Sequence, residues 1–155
     1  MTRSDVASEW WSDPGRRRSR SWHPSAASGQ ARRVVLVGVK AVDRAAVGAA
    51  EYAERIPAVT HRGLHAAAGL ADDVLAAWHD TMPEMPLEVV AGDDVVSALA
   101  NAVRREIAAP AVGQVVVVLA RRRCSYSTGT TLRGLVTALR QIDGVTPVVL
   151  PLYAA

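Results

Sequence analysis

The sequence predicts a three-layer α/β domain, with a five-stranded, mostly parallel sheet and helices on both faces. Three observations carry this expectation. Short runs of Val, Leu and Ile alternate with segments whose apolar residues recur at helical spacing, in the order β-α-β-α-β-α-β-α-β. The run at 115–119, Val-Val-Val-Val-Leu, has no polar position, which suits a strand buried on both sides. Strands alternating with helices of three or four turns imply right-handed crossovers onto a parallel sheet.

Each element has its own local reason. Residues 34–39 form a continuous apolar strand, and 40–42 are its exit loop. Asp43 is placed to cap the next helix, its carboxylate accepting from first-turn amides. On that helix Val42, Ala46, Ala49, Ala50, Ala53 and Ile56 make one stripe, with Arg44, Glu51 and Arg55 opposite, and Pro57 ends it. Residues 59–67 are a second strand, with His61 and His65 on one face and Leu64 and Ala66 on the other. The second helix turns Leu70, Val74, Leu75 and Trp78 inward and carries Asp72 and Asp73 in its first turn, where the helix dipole favours them.

Pro83 and Pro86 bracket the next loop, and 87–91 is the third strand. Gly92 and Asp93 turn the chain into a third helix, with Val96, Leu99, Ala100, Val103 and Ile107 inward and Asn101, Arg104 and Arg105 outward. Pro110 stops it, and 114–119 is the fourth strand. Leu132, Leu135, Val136 and Leu139 mark the last helix. Residues 145–150 are the fifth strand, whose Pro147 suits an edge better than the sheet centre.

Composition divides the chain in two. Residues 1–33 hold seven arginines against three acidic residues, a balance of +4, with Ser, Gly, Pro, Trp10, Trp11 and Trp22 and no apolar period. They are expected to be a disordered basic tail. Residues 34–155 hold eleven basic against twelve acidic residues, a balance of −1, and are expected to be one α/β domain. The basic charge lies off the folded part, so no nucleic-acid partner is expected. With no Phe and three Tyr in the chain, the core must be built from Val, Leu, Ile and Ala, and small side chains let helices lie close on a sheet.

Cys124 is the only cysteine, which excludes an internal disulfide or a cysteine-based metal cluster and fits a reducing cytoplasm. The Arg16-Arg17-Arg18 run has no apolar stretch behind it and reads as no export signal.

In open parallel sheets, function gathers at the carboxyl ends of the strands. Two loops there carry chemistry. In the first, Lys40, the only lysine in the chain, and Asp43 are candidates for a phosphate or metal contact, although the segment is no Gly-x-Gly-x-x-Gly fingerprint. In the second, 121–131, Arg121, Arg122, Arg123, Gly129, Thr130 and Thr131 could hold an anion through guanidinium groups, hydroxyls and helix-start amides. The plain alternatives are a solvated lysine beside a cap and a solvated basic loop. A catalytic pairing of Cys124 with a histidine and a His61/His65 metal site are both disfavoured, the latter because four strand residues span ~13 Å. Neither catalytic residues nor a cofactor nor a metal is expected.

Local phrases give a resemblance. Gly63-Leu64-His65-Ala66 in the second strand, Trp78 late in the following helix and Leu87-Glu88-Val89-Val90 in the third strand are its first part. The valine-rich fourth strand, the polar stretch 130–135 and the Gly144 to Tyr153 pattern complete it. About three quarters of the chain resembles the soluble C-terminal cytoplasmic domain of bacterial APC-type amino-acid permeases, itself similar to the universal-stress-protein fold.

The resemblance implies a cytoplasmic, non-catalytic accessory or regulatory domain that acts through protein contacts or a small anionic ligand. Its partner would be a membrane transporter or another protein, its ligand a phosphate-bearing small molecule, and a homodimer would form through an edge strand, the last one first. The alternative is a universal-stress-type ATP- or AMP-binding protein. A phosphate-sized pocket with amides around Gly129, open beside Gly38, would mark the latter, and a flat surface the former. The chain departs from these relatives in two places. Residues 123–129 lack the Trp and His those domains carry there, and the Gly-x2-Gly-x9-Gly-Ser/Thr nucleotide signature is missing. It would be a free-standing version of the domain or part of a longer product.

Overall fold

The computed structural model describes residues 32–67, 71–121 and 126–151, without the side chains of 126–130. The elements are β1 (Arg32–Gly38), α1 (Arg44–Glu54), β2 (Thr60–Ala67), α2 (Asp72–Thr81) and β3 (Leu87–Ala91), followed by α3 (Val95–Ile107), β4 (Val112–Ala120), α4 (Tyr126–Arg140) and β5 (Val145–Leu150). All five strands are parallel, in the order β3-β2-β1-β4-β5.

Alternating strand residues feed two separate cores. Val34 and Leu36 of β1, with Val115, Val117 and Leu119 of β4, face one side, where Leu99 and Val103 of α3 and Leu135 and Leu139 of α4 cover them. Val35 and Val37, with Val116 and Val118, face the other side under α1 and Trp78 of α2. The predicted three-layer α/β class is therefore the observed one, and its sheet is wholly parallel. The stripe of α1 is almost pure alanine: Ala45, Ala46, Ala49, Ala50 and Ala53 are all buried. With no larger side chain to hold it off, that helix can sit close over the central strands. Among the described residues no helix is long and apolar enough to cross a membrane.

Several local expectations need correction. β1 begins at Arg32, two residues before the predicted start, because both arginines have work at the sheet end. The Arg32 amide donates to the Ala111 carbonyl at 2.7 Å, and Arg33 donates to Gln114 Oε1 at 2.8 Å and to the Pro57 carbonyl at 3.2 Å. The rest of the predicted tail lies outside the described residues. α2 buries only Trp78, and Leu75, expected inside, is exposed. The predicted loop 121–131 is helix from Tyr126 onward, so Gly129, Thr130 and Thr131 belong to α4. β5 is an edge strand paired only with β4, and Pro147 sits there opposite Val117, as a residue without an amide donor should.

One backbone feature makes a stability prediction. Ala111, between α3 and β4, has φ 67, the left-handed region that costs a Cβ-bearing residue about 1–2 kcal/mol. Ala111→Gly should raise the unfolding free energy by about 0.5–1 kcal/mol, the relieved strain exceeding the extra freedom of glycine in the unfolded chain. Urea unfolding followed by circular dichroism reads this as a higher midpoint at constant slope.

Candidate ligand-binding crevice

The strand order creates the site. From β1 the chain winds outward through β2 to β3 with α1 and α2 on one face, then α3 carries it back across the sheet to β4, and α4 leads on to β5. At the carboxyl ends of the neighbouring β1 and β4, the chain thus departs toward opposite faces. Such a switch point leaves a crevice, which is the usual ligand position in open α/β sheets.

A cavity of about 330 Å³ occupies this place. Gly38, Val39 and Lys40 line it from β1 and its exit, and Leu119 and Ala120 from β4. His65 and Ala66 of β2 and Ala46 of α1 add to the wall, and Val95 and Leu99 of α3 with Thr131, Leu132 and Leu135 of α4 complete it. Most of these side chains are aliphatic, and among the described residues Lys40, His65 and Thr131 are the polar ones. The absence of a side chain at Gly38 keeps the strands close: a Cβ there would lie 2.6 Å from Leu119 Cδ2.

Nearby carboxylates are engaged at helix ends. Asp43 Oδ1 accepts from the Ala46 amide at 2.9 Å, which caps α1. Asp94, beside Val95, accepts from Ser97 Oγ at 2.5 Å and from the Val96 amide at 3.2 Å. The Ser97 hydrogen bond, aided by the amides of Val96 and Ser97, holds its pKa below the usual carboxylate value against a small opposing effect of desolvation.

His65 is oriented by the backbone. Its Nδ1 lies 2.8 Å from the Val39 carbonyl, which can only accept, so Nδ1 carries a proton and donates it there. His61 is held separately, its Nε2 donating to the Ile56 carbonyl at 2.7 Å. Each imidazole is thus tied to its own backbone carbonyl. Among the described residues, no three His, Cys, Asp or Glu side chains gather as a metal site.

Of the residues singled out by sequence, Lys40 and Thr131 come together in this crevice. Asp43 caps α1 next to it. Arg121 is exposed, its backbone amide donating to the Leu150 carbonyl at 2.8 Å, and it is not part of the lining. Arg122, Arg123 and Cys124 lie outside the described residues. Gly129 and Thr130 are α4 residues whose side chains are not described. His65, Leu119 and Ala120 were missed as site residues. The signal that could have found them was the end of each strand nearest the switch point.

No family model matches the sequence, and no curated protein matches it. What the crevice does must be read from its own chemistry.

Proposed function

We propose that this chain is a non-catalytic accessory or regulatory domain that holds a small anionic molecule in the switch-point crevice. The observation that carries this reading is a switch-point chamber whose described lining is largely aliphatic and includes Lys40 and Thr131, with no carboxylate among the described lining residues. Its volume lies at the small end of ligand pockets, where apolar walls with a few polar groups are the rule. The imidazole in the wall argues for holding rather than transforming. His65 gives its Nδ1 to a backbone carbonyl, where a catalytic histidine commonly has an orienting carboxylate. On the sequence resemblance to permease tails, the domain works in the cytoplasm beside a membrane transporter or another protein and reports occupancy of the crevice to it.

The switch-point position beside Gly38 also supports a second reading, an adenine nucleotide. Two features weigh against it. The first-turn amide of α1 is already taken by Asp43, which also puts negative charge where a phosphate would dock. The aliphatic lining, moreover, offers few partners for phosphate oxygens.

Thermal-shift measurements on the full chain with inorganic phosphate, ATP, AMP, cyclic nucleotides and small carboxylates test both. A ligand at one hundred times its Kd should stabilise the fold by about 2.7 kcal/mol. That stabilisation should vanish in Ala120→Leu, which fills the crevice. A flat response to every anion would overturn the small-ligand reading, and stabilisation by ATP or AMP alone would establish the nucleotide.

A further inference from the structure

We infer that the layer formed by α3 and α4 docks on an anionic phospholipid membrane, a surface and a partner separate from the crevice. The domain is nearly neutral as a whole, but its charges are sorted by layer. On α1 and α2 five exposed acids, Glu51, Glu54, Asp72, Asp73 and Asp80, stand against Arg44 alone, a balance of −4 with His79 neutral. On α3 and α4 the exposed charges are Arg104, Arg105, Arg133 and Arg140, a balance of +4. Glu106, the one acid in those two helices, is held by Arg62. The stretches 68–70, 122–130 and 152–155 add Arg122 and Arg123 and no acidic residue.

The four arginines share one surface. α3 and α4 cover the same core, and their arginines fall on the stripes turned away from it. On α3 that stripe is Ser97, Asn101, Arg104 and Arg105, and on α4 it is Arg133, Thr137 and Arg140. Arg104 donates to Asn101 Oδ1 at 2.9 Å, a contact that keeps its charge outward. Arg104, Arg105 and Arg140 lie in the last turns of their helices, which in a parallel sheet is the amino end of the strands. The chain enters β1 at that same end, where the Arg32 amide bonds the Ala111 carbonyl just beyond α3. Residues 1–31, which precede that entry, carry five arginines, three acids and Trp10, Trp11 and Trp22, and tryptophan favours the membrane interface.

A planar anionic surface fits this arrangement best. Guanidinium groups take phosphate oxygens two at a time, and each one near an anionic bilayer raises partitioning about fivefold. The acids of α1 and α2 lie behind the sheet, about 20 Å away and beyond two Debye lengths of ~8 Å, so a membrane on the arginine side is screened from them. The exposed stripes of α3 and α4 contain no large apolar residue, so they lack the apolar centre that a stable contact with a second copy needs. The two helices lie side by side over the sheet, and neither projects as an element that enters a nucleic-acid groove.

Vesicle flotation of the full chain tests this, with phosphatidylcholine alone and with phosphatidylcholine containing phosphatidylglycerol. In about 0.1 M salt the chain should float with the anionic vesicles only, and about 1 M salt should release it. Arg104→Gln with Arg140→Gln should weaken binding by about tenfold or more, two steps of about fivefold each. Arg105→Gln with Arg133→Gln should do the same and serves if circular dichroism shows the first pair misfolded. Asp73→Asn with Asp80→Asn changes net charge by the same amount on the far layer and should leave binding unchanged. If that pair strengthens binding as much as the arginine pairs weaken it, net charge alone acts and the inference is overturned. Wild-type binding by both arginine pairs overturns it as well, since other basic residues then hold the membrane. Failure to float with either vesicle overturns it in favour of an oligonucleotide, if anisotropy shows one bound, or of a second copy, if sedimentation shows salt-sensitive self-association.

Discussion

Trp78→Ala should destabilise the fold by about 3–5 kcal/mol, the range for removing a large buried aromatic side chain. Trp78 is the only residue of α2 that is fully buried, at 1% exposure, so it anchors that helix almost alone. Its indole Nε1 donates to the Met85 carbonyl at 2.7 Å in a buried hydrogen bond. The ring also lies against the floor of β2, where a Cβ on Gly63 would stand 3.5 Å from Trp78 Cζ2 and 3.3 Å from Val39 Cγ2. Alanine would leave a cavity beneath Val39 and a buried carbonyl without its donor.

Trp78→Phe separates the two losses. It keeps most of the apolar volume but still orphans the Met85 carbonyl, which should cost about 1–3 kcal/mol. Urea unfolding of both variants checks the order. A loss below about 1 kcal/mol for the alanine variant would mean that α2 is held by something other than this ring.

The second large effect is expected at Arg62 in β2. Its guanidinium bridges Glu88 of β3, at 3.0 Å, and Glu106 in the last turn of α3, tying one strand pair to the helix that crosses it. Burial alone would lower the Arg62 pKa, but the hydrogen bonds and attraction of Glu106 and Glu88 outweigh it and raise it further. The arginine therefore stays charged across any working pH. Glu106 is poorly placed on its own, since a carboxylate at a helix carboxyl end opposes the dipole.

Arg62→Met would leave two carboxylates facing each other without the cation between them. Breaking a fully buried pair costs about 3–5 kcal/mol. This cluster keeps some solvent access, with side-chain exposures of 23%, 43% and 19% for Arg62, Glu88 and Glu106, so about 1–3 kcal/mol is the better figure. Adding Glu106→Leu should recover part of that loss. Equilibrium unfolding of the single and double variants measures it, and a single-variant loss under about 0.5 kcal/mol would show the bridge to be ornamental.

These elements differ in how well the sequence announces them. β4 was legible because burial on both faces leaves no polar residue in 115–119, and helices do not produce such a run next to a proline stop. β5 was legible as a short run rich in Val and Leu after Gly144, with Pro147 pointing to the edge, although only Val145 of it is buried. Leu75 was misplaced because helical spacing tells which residues share a face, but not how much sheet that face meets. α2 lies beside β3, a short edge strand, and only its tryptophan reaches the core.

The first turns of α4 were hidden by composition. Ser, Thr and Gly are poor helix interior residues, so 126–131 reads locally as loop, and the helix that forms there is fixed by the crossover from β4 to β5. The crevice was the least visible feature. Its walls are drawn from residues that read as ordinary core, such as Leu99 and Leu135, and they become a chamber only because β1 lies next to β4. That adjacency is a property of strand order, and no local pattern encodes it.

The same adjacency governs how the chain can come together. Arg33 and Gln114, bonded across β1 and β4, are 81 residues apart, so the central strand waits for its second neighbour until most of the sequence has been made. Until then β1, β2 and β3 form a sheet whose inner edge carries the unpaired amides and carbonyls of Val34, Val35, Leu36 and Val37. On one face that edge is sheltered by α1, and on the other it lacks α4. During synthesis the most apolar strand of the first half is thus an open template, the kind of edge that pairs with the wrong chain. The switch point that makes room for a ligand in the finished domain is, on the ribosome, a seam that can close only after the first three strands are already made.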